Sequence, residues 1–167
     1  MAFGGAPAPT GFLLLKDNAH TISFFFFSMP SPRIPIHLNS EMYFLTFTIK
    51  DWSHILDRYD RWNMLLDSLQ YCITNKELRV FAWVFMKNHI HLIVKSPDVS
   101  GFVRDFKKHT AHELMQSMKK NEPDLIELFK EKDKKYRIWE KTNMPKLIET
   151  EEFFLQKKEY IEHRTYP

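Results

Sequence analysis

The sequence predicts an α+β fold of the ferredoxin-like, RRM-like kind. An antiparallel sheet should carry helices on one face and a late helix near the other. Three observations support this. Hydrophobic periodicity changes along the chain in the order strand, helix, strand, strand, helix, with a last helix after a stretch of extras. Only Lys87 and Asn88 separate "LRVFAWVFM" from "HIHLIVK", which makes those two strands an antiparallel hairpin. At 167 residues and 44% hydrophobic content, the chain is long enough for one domain with a real core.

Each element has its own justification. "MYFLTFTI", Met42 to Ile49, is aromatic and β-branched and reads as a buried strand. From Ser53 to Asn75 the spacing turns helical. Ile55, Tyr59, Trp62, Leu66, Leu69 and Ile73 form one apolar stripe, and Ser53 stands as the N-cap. The hairpin strands Leu78–Met86 and His89–Lys95 follow. A second helical stripe runs through Val99, Phe102, Val103, Phe106, Thr110, Leu114 and Met118. Pro123 to Phe129 is a short helical candidate. "YRIWEK" and "MPKLIE" can pair or pack across the sheet. The fourth strand of the pattern is not obvious; "TISFFFF" or "YRIWEK" could supply it. The last helix starts near Thr150, with Glu151 and Glu152 in a first turn where carboxylates suit the helix dipole.

Composition narrows the function classes. The net charge of +3 permits a polyanionic partner without demanding one. Four glycines leave no Walker A loop and no dinucleotide fingerprint. The single cysteine, Cys72, has no internal partner, which suits a reducing, cytoplasmic compartment. The run "GFLLLKDNAHTISFFFFS" is interrupted by Lys16, Asp17, Asn18 and His20, too short and polar to span a bilayer, so no membrane partner is expected. Composition breaks again at Met29, where "MPSPRIP" begins. Residues 1–36 are therefore expected to be a poorly packed extension and 37–167 the functional domain, with an added strand from "TISFFFF" as the alternative.

"FMKNHIHLIV" raises the chemical question, because burying an imidazole without a partner costs free energy. Residues two apart on a strand share a face, so His89 and His91 project together while Ile90, Leu92 and Val94 project oppositely. Two neutral imidazoles converging from a rigid strand suit a metal ion. Two ordinary polar-face histidines would give the same spacing.

"WVFMKNHIHLIV" resembles the "VxMPNHxHLL" signature of the HUH single-tyrosine transposases, which include insertion-sequence and REP-associated tyrosine transposases. The name denotes histidine, hydrophobic residue, histidine, here His89, Ile90 and His91. "FVRDFKKHTAHELMQ" is similar to the family's helix after that motif, "RIWEK" to its "VWQ" or "FWE" segment, and "LIETEEFFLQKKEYIEH" to the stretch that carries its nucleophile. The resemblance covers roughly Met42 to Pro167, with four segments in order.

The resemblance implies a metal-dependent transposase and endonuclease that cleaves and rejoins single-stranded DNA, with hairpin or palindromic ends, through a 5′-phosphotyrosine. Tyr160 stands at the nucleophile's position, with Tyr166 as competitor should the register slip. His89 and His91 would bind Mg2+ or Mn2+. The family's tyrosine is followed by "IHxNP", whereas this chain reads "YIEHRTYP". Arg164, four positions on, cannot ligate a cation. His163, three positions on, is the preferred third ligand, with Glu162 second. The late proline and the missing segment beyond it suggest a truncated copy or a divergent branch. Lys107, Lys108, Lys119 and Lys120 correspond to lysines that contact DNA backbone, and Trp83, Tyr136 and Trp139 could stack bases or belong to the core. The resemblance also implies action in a bacterial cytoplasm on nucleoid DNA, and a homodimer in some relatives. The alternatives are an inactive single-strand-binding remnant of the same fold and a hydrolase that uses activated water.

Overall fold

The computed structural model describes residues 33–131 and 135–165, and the backbone of two further segments, 12–16 and 22–26. Those two segments are strands β1 (Phe12–Lys16) and β2 (Ile22–Phe26). They pair antiparallel in a sheet of their own, with Phe12 opposite Phe26. The β character of "TISFFFF" is thus realised in a hairpin with "FLLLK", not as the missing strand. The rest of the extension expected over residues 1–36 lies largely outside the described residues.

The main sheet is built from β3 (Met42–Thr48), β4 (Arg79–Phe85), β5 (His89–Lys95) and β6 (Lys146–Leu147). Its order is β4-β5-β3-β6, antiparallel throughout. The helices are α1 (Arg61–Asn75), α2 (Val99–Asn121) and α3 (Glu151–Thr165). The fold class is the expected one, α+β with a four-stranded antiparallel sheet. "MPKLIE" supplies the fourth strand as a two-residue pairing of Lys146 and Leu147 with Phe44 and Tyr43. "RIWEK" contributes a single bridge, Trp139 to Ile49. Pro145, which has no N–H, and Met144, at φ 39°, border β6 and help to keep it short.

Side-chain alternation divides the core in two. Leu45, Phe47, Ile90, Leu92 and Val94 face one way and pack with Phe102, Phe106, Leu114 and Met118 of α2 and Leu65 and Leu69 of α1. Phe44, Val84 and Ile93 face the other way and pack with Ile161 of α3. A register shift between Val80 and Ala82 leaves Phe81 as an extra residue on β4. This bulge sends Phe81 to the α3 side, where its ring meets Phe154 edge-on at 6.1 Å.

The α1 expectation needs correction. The helix starts at Arg61, not Ser53, because Tyr59 and Asp60 adopt left-handed backbone angles that no helix continues through. The buried stripe is Arg61, Leu65, Ser68, Leu69 and Cys72, while Tyr59, Trp62 and Ile73 are exposed. Arg61 is fully buried yet satisfied. It donates to the Ile55 carbonyl at 2.8 Å, to Ser117 Oγ at 3.0 Å and to Glu122 Oε2 at 2.7 Å, tying α1 to the end of α2. α2 follows its predicted stripe and is capped by Asp98, whose carboxylate accepts from Gly101 N at 2.8 Å. Pro123–Phe129 forms the expected short helix, of 3-10 type. At the start of α3, Thr150 Oγ1 accepts from Phe153 N at 3.2 Å. Among the described residues no helix is long and apolar enough to cross a membrane.

Candidate active site between β5 and α3

The site begins with the register of β3 on β5. Thr46 lies opposite His91 and Thr48 opposite His89, so the α3 side of the sheet centre carries two hydroxyls and two imidazoles. Both histidines are buried, at 9% and 6% exposure, with ring centroids 4.8 Å apart. The sheet thus brings the pair together, as the alternation of β5 predicts.

Each imidazole has a partner at Nδ1. His89 Nδ1 lies 2.7 Å from Asn88 Oδ1, an oxygen that only accepts, so the proton sits on Nδ1 and Nε2 keeps a bare lone pair. His91 Nδ1 lies 2.9 Å from Thr46 Oγ1, and its Nε2 faces the Tyr160 hydroxyl at 3.5 Å. In the tautomer that donates its Nδ1 proton to Thr46, this nitrogen is an acceptor that the Tyr160 hydroxyl faces. Burial pushes the His89 pKa down to about 4, helped by the positive charge of Arg164. Burial pushes His91 down to about 3, with further contributions from His89, Arg164 and Lys157. Both rings are therefore neutral lone-pair donors at physiological pH.

Aromatic packing fixes the rings. Phe44 stacks on His91 at 5.2 Å, and Trp52 meets His89 edge-on at 5.6 Å. Trp52 follows Asp51 through two successive left-handed residues, φ 54° and 55°. Its carbonyl accepts from Asn88 Nδ2 at 3.1 Å, which orients the same amide that holds His89. Trp52 Nε1 is a buried donor with no partner among the described residues.

Helix α3 brings Tyr160 over this face. Its half-buried ring lies 5.3 Å from His91 and 6.2 Å from Phe44, both nearly edge-on. Tyrosine and histidines meet within one chain. Lys157, one turn earlier, has its Nζ 5.7 Å from the Tyr160 ring and 5.3 Å from that of Phe44. Arg164, one turn later, has its guanidinium 4.6 Å from the Tyr160 ring.

Other expected residues go elsewhere. His163 is exposed and turns its Nε2 to Glu159 at 3.3 Å. Glu162 pairs with Lys158 at 3.2 Å. Among the described residues no three His, Cys, Asp or Glu side chains gather into a metal cluster, and the structure does not bring His163 or Glu162 to the histidine pair. Tyr166 lies outside the described residues. Lys107, Lys108, Lys119 and Lys120 are on α2, across the sheet from the histidines. Lys107 Nζ is engaged by the Glu140 carbonyl at 2.7 Å, and burial lowers its pKa to about 8; Lys108, Lys119 and Lys120 are exposed. Trp139 is core, donating to Thr110 Oγ1 at 3.0 Å, while Tyr136 and Trp83 are partly exposed. The residues that sequence reasoning missed are Thr46, Asn88, Trp52 and Lys157. Asn88 stands in the quoted motif itself, directly before His89, and the signal for the others is strand register, helix spacing or the fold alone.

A family profile described as "Transposase IS200 like" matches residues 38–163. The chain is similar to a solved structure of a REP-associated tyrosine transposase bound to a REP hairpin. The identity is 17%, over 81% of this chain and 70% of that one, with a TM-score of 0.57, a likeness of fold. A second solved structure, a candidate transposase from Deinococcus radiodurans R1, is 20% identical over 83% of this chain and 100% of that one, with a TM-score of 0.49. No curated protein matches the chain.

Proposed function

This chain belongs to the family of IS200-like transposases, and we propose that it cleaves and rejoins single-stranded DNA with Tyr160 as nucleophile and His89 and His91 as metal ligands. The observation that carries the reading is the meeting of the Tyr160 hydroxyl with His91 Nε2 at 3.5 Å, on the sheet face that carries both imidazoles.

The donor set fits a divalent ion. His89 and His91 offer two Nε2 lone pairs, each backed by a hydrogen bond at Nδ1, the usual support of a ligating histidine. With no third His, Cys, Asp or Glu gathered beside them among the described residues, oxygen ligands such as water and phosphate would complete the shell. Imidazoles favour Mn2+ over Mg2+, whose preference is for oxygen. When bound, such an ion would polarise the scissile phosphate as a Lewis acid.

The chain's own residues do the rest. A proton affinity as low as that of His91 makes it a poor general base and a good neutral donor, so it is assigned to holding and orienting. Tyr160 is held by its rings against Phe44 and His91, with its oxygen toward the site. That oxygen attacks phosphorus, the bond from phosphorus to the 3′ oxygen breaks, and a 5′-phosphotyrosine and a free 3′-hydroxyl remain. The proton lost by tyrosine is balanced by the one the 3′ oxygen gains. Because the ester keeps the bond energy, a 3′-hydroxyl can reverse the step and rejoin the strands. The fold's likeness to a transposase bound to a REP hairpin supports strands with folded ends as substrates. The exposed lysines Lys108, Lys119 and Lys120 could then meet a DNA arm that wraps to the α2 side, and a homodimer would present two such sites.

The test is covalent capture. Labelled single strands carrying hairpins, incubated with Mn2+, should yield a protein–DNA adduct with the full chain. Tyr160→Phe should lose it while retaining DNA binding, because only the attacking oxygen is removed. An adduct that survives Tyr160→Phe and disappears in Tyr166→Phe would move the nucleophile. Cleavage without any adduct would favour a hydrolase using activated water, and binding without cleavage an inactive remnant.

A further inference from the structure

Helix α3 sorts its charges by face. Lys158 pairs with Glu162 and Glu159 with His163, each at a spacing of four, in two outward-facing pairs. Lys157 and Arg164 belong to a different stripe, three residues before and four after Tyr160. Neither has an ion-pair partner among the described residues, and the helix's nearest carboxylates are turned to other cations.

Their surroundings make this unusual. Lys157 Nζ sits among the rings of Phe44, Phe153 and Tyr160, at 5.3, 5.2 and 5.7 Å, and is partly buried. Burial lowers its pKa, and the positive charge of Lys146 lowers it further. The Arg164 guanidinium lies 4.6 Å from the same Tyr160 ring. Lys157, partly buried, and Arg164, exposed, thus flank the tyrosine beside two neutral imidazoles, with no carboxylate paired to either among the described residues. Stacking on rings recovers part of the cost of desolvating a cation. A partly buried cation left without a counter-charge remains unfavourable and is stabilised when an anion arrives.

We propose that Lys157 and Arg164 form a clamp, one arm on each side of Tyr160 along α3, that grips the non-bridging oxygens of the DNA phosphate that Tyr160 attacks. Lys146 extends the positive track toward the neighbouring phosphate. The proposal rests on the reading of Tyr160 as nucleophile and adds the residues that bring the phosphate to it. It also sets the path of the scissile strand along α3 and β6, away from the lysines of α2. A guanidinium suits this task because its fork can bond two phosphate oxygens at once, and the ammonium of Lys157 acts as a point charge beside it. Both charges would also oppose the negative charge that builds on phosphate oxygens during attack.

Binding and chemistry are tested separately. Fluorescence anisotropy of a labelled mixed-sequence single strand, measured with the full chain in EDTA across a salt series, reads phosphate contacts without cleavage. Lys157→Ala and Arg164→Ala should each flatten the slope of log affinity against log salt by about 0.7, and the double variant by about twice that. Arg164→Lys should keep most of the slope. An unchanged slope in the Ala variants would overturn the clamp. So would a loss as large in Arg164→Lys as in Arg164→Ala, since Arg164 would then act through packing or as a helix-end residue. Once the cleavage step is mapped by the adduct, a methylphosphonate there removes the charge the clamp should grip. Its effect on affinity and that of Arg164→Ala should not add; full additivity would put Arg164 on another phosphate and overturn the assignment. A flattened slope in a protein that forms no adduct on any strand would defeat the cleavage reading and leave a phosphate-binding site. An adduct with unchanged slopes would defeat the clamp alone.

Discussion

The two faces of the main sheet close in different ways. On the α1 and α2 side, Leu45, Phe47, Ile90, Leu92 and Val94 meet Phe102, Phe106, Leu114 and Met118 in continuous apolar contact. On the α3 side the apolar patch is small, centred on Phe44, Val84, Ile93 and Ile161, and beside it stand Thr46, Thr48, His89 and His91. Both faces are drawn from the same strands, so the difference comes from alternation, with the β4 bulge adding Phe81 to the α3 side. A slip of one residue in β5 would bury Leu92 where His91 stands and turn the histidines into the apolar layer. The inner face fixes the register by hydrophobic burial, and the outer face uses the register to aim chemistry. Hydrocarbon contacts tolerate exchange of one apolar group for another of similar volume. The outer face cannot, because each imidazole depends on one named partner.

Paired truncations measure this difference, and they should give the largest effect on stability. Phe106→Ala on the inner face should cost about 3–5 kcal/mol, the usual loss for a fully buried phenyl ring. Phe154→Ala on the outer face removes a half-buried ring that touches Phe81, and should cost no more than about 1–2 kcal/mol. Urea denaturation of the two variants provides the comparison. Equal losses would mean that α3 is as much a part of the core as α2.

The second contrast is in pH dependence. The folded chain holds His89 at about 4 and His91 at about 3, below their ordinary 6.5. Between those values the unfolded chain binds protons that the folded chain does not, so folding stability rises with pH there. Stability of the metal-free protein should be full above about pH 6.5 and fall as pH drops toward about 4, by up to about 1.4 kcal/mol per pH unit for each imidazole. The melting temperature across that range gives the slope. His89→Ala combined with His91→Ala should flatten it, whereas Phe106→Ala should lower the whole curve and leave the slope alone. A slope that survives the double histidine change would assign it to other groups.

The two faces also differ in how well the sequence revealed them. The α2 stripe from Val99 to Met118 and the outward pair His89 and His91 are read directly from periods of 3.6 and 2, because both elements obey one period for their whole length. Ile55 and Tyr59 fit the helical period of α1 by chance, although they lie in the irregular segment and turn before it. No pattern announces the burial of Arg61, since its partner Glu122 is 61 positions away in the chain. A two-residue strand such as β6 is too short to carry a period. At the site, the histidines and Tyr160 were legible from the motif, but apart from Asn88, which the motif also contains, their supports were not. Thr46 becomes relevant only when β3 pairs with β5 in one register, and Lys157 only when α3 crosses the outer face. The lysines of α2 show the limit of reading charge. Lys107 and Lys108 are neighbours of one type, yet one is held by the Glu140 and Lys141 carbonyls and the other is exposed.

The smallest stability effect is the most specific test of the outer face. Thr46 Oγ1 holds His91 Nδ1 at 2.9 Å. Thr46→Val keeps the shape of the side chain and removes only the hydroxyl. Its cost in stability should be about 0.5–1.5 kcal/mol, the net value of one hydrogen bond, well below that of Phe106→Ala. Its effect on the site should be larger in proportion. Without the hydroxyl, the His91 proton gains by moving from Nδ1 to Nε2, where it can meet the Tyr160 oxygen and cover the lone pair the metal would take. Loss of such a supporting partner typically lowers metal affinity about 10-fold to 100-fold. Calorimetric titration with Mn2+ should therefore show weakened binding in Thr46→Val and recovery in Thr46→Ser, which restores the oxygen. If Val and Ser bind Mn2+ as tightly as the parent chain, the stacking of Phe44 on His91 is enough to orient the ring. The outer face would then depend on apolar packing much as the inner face does.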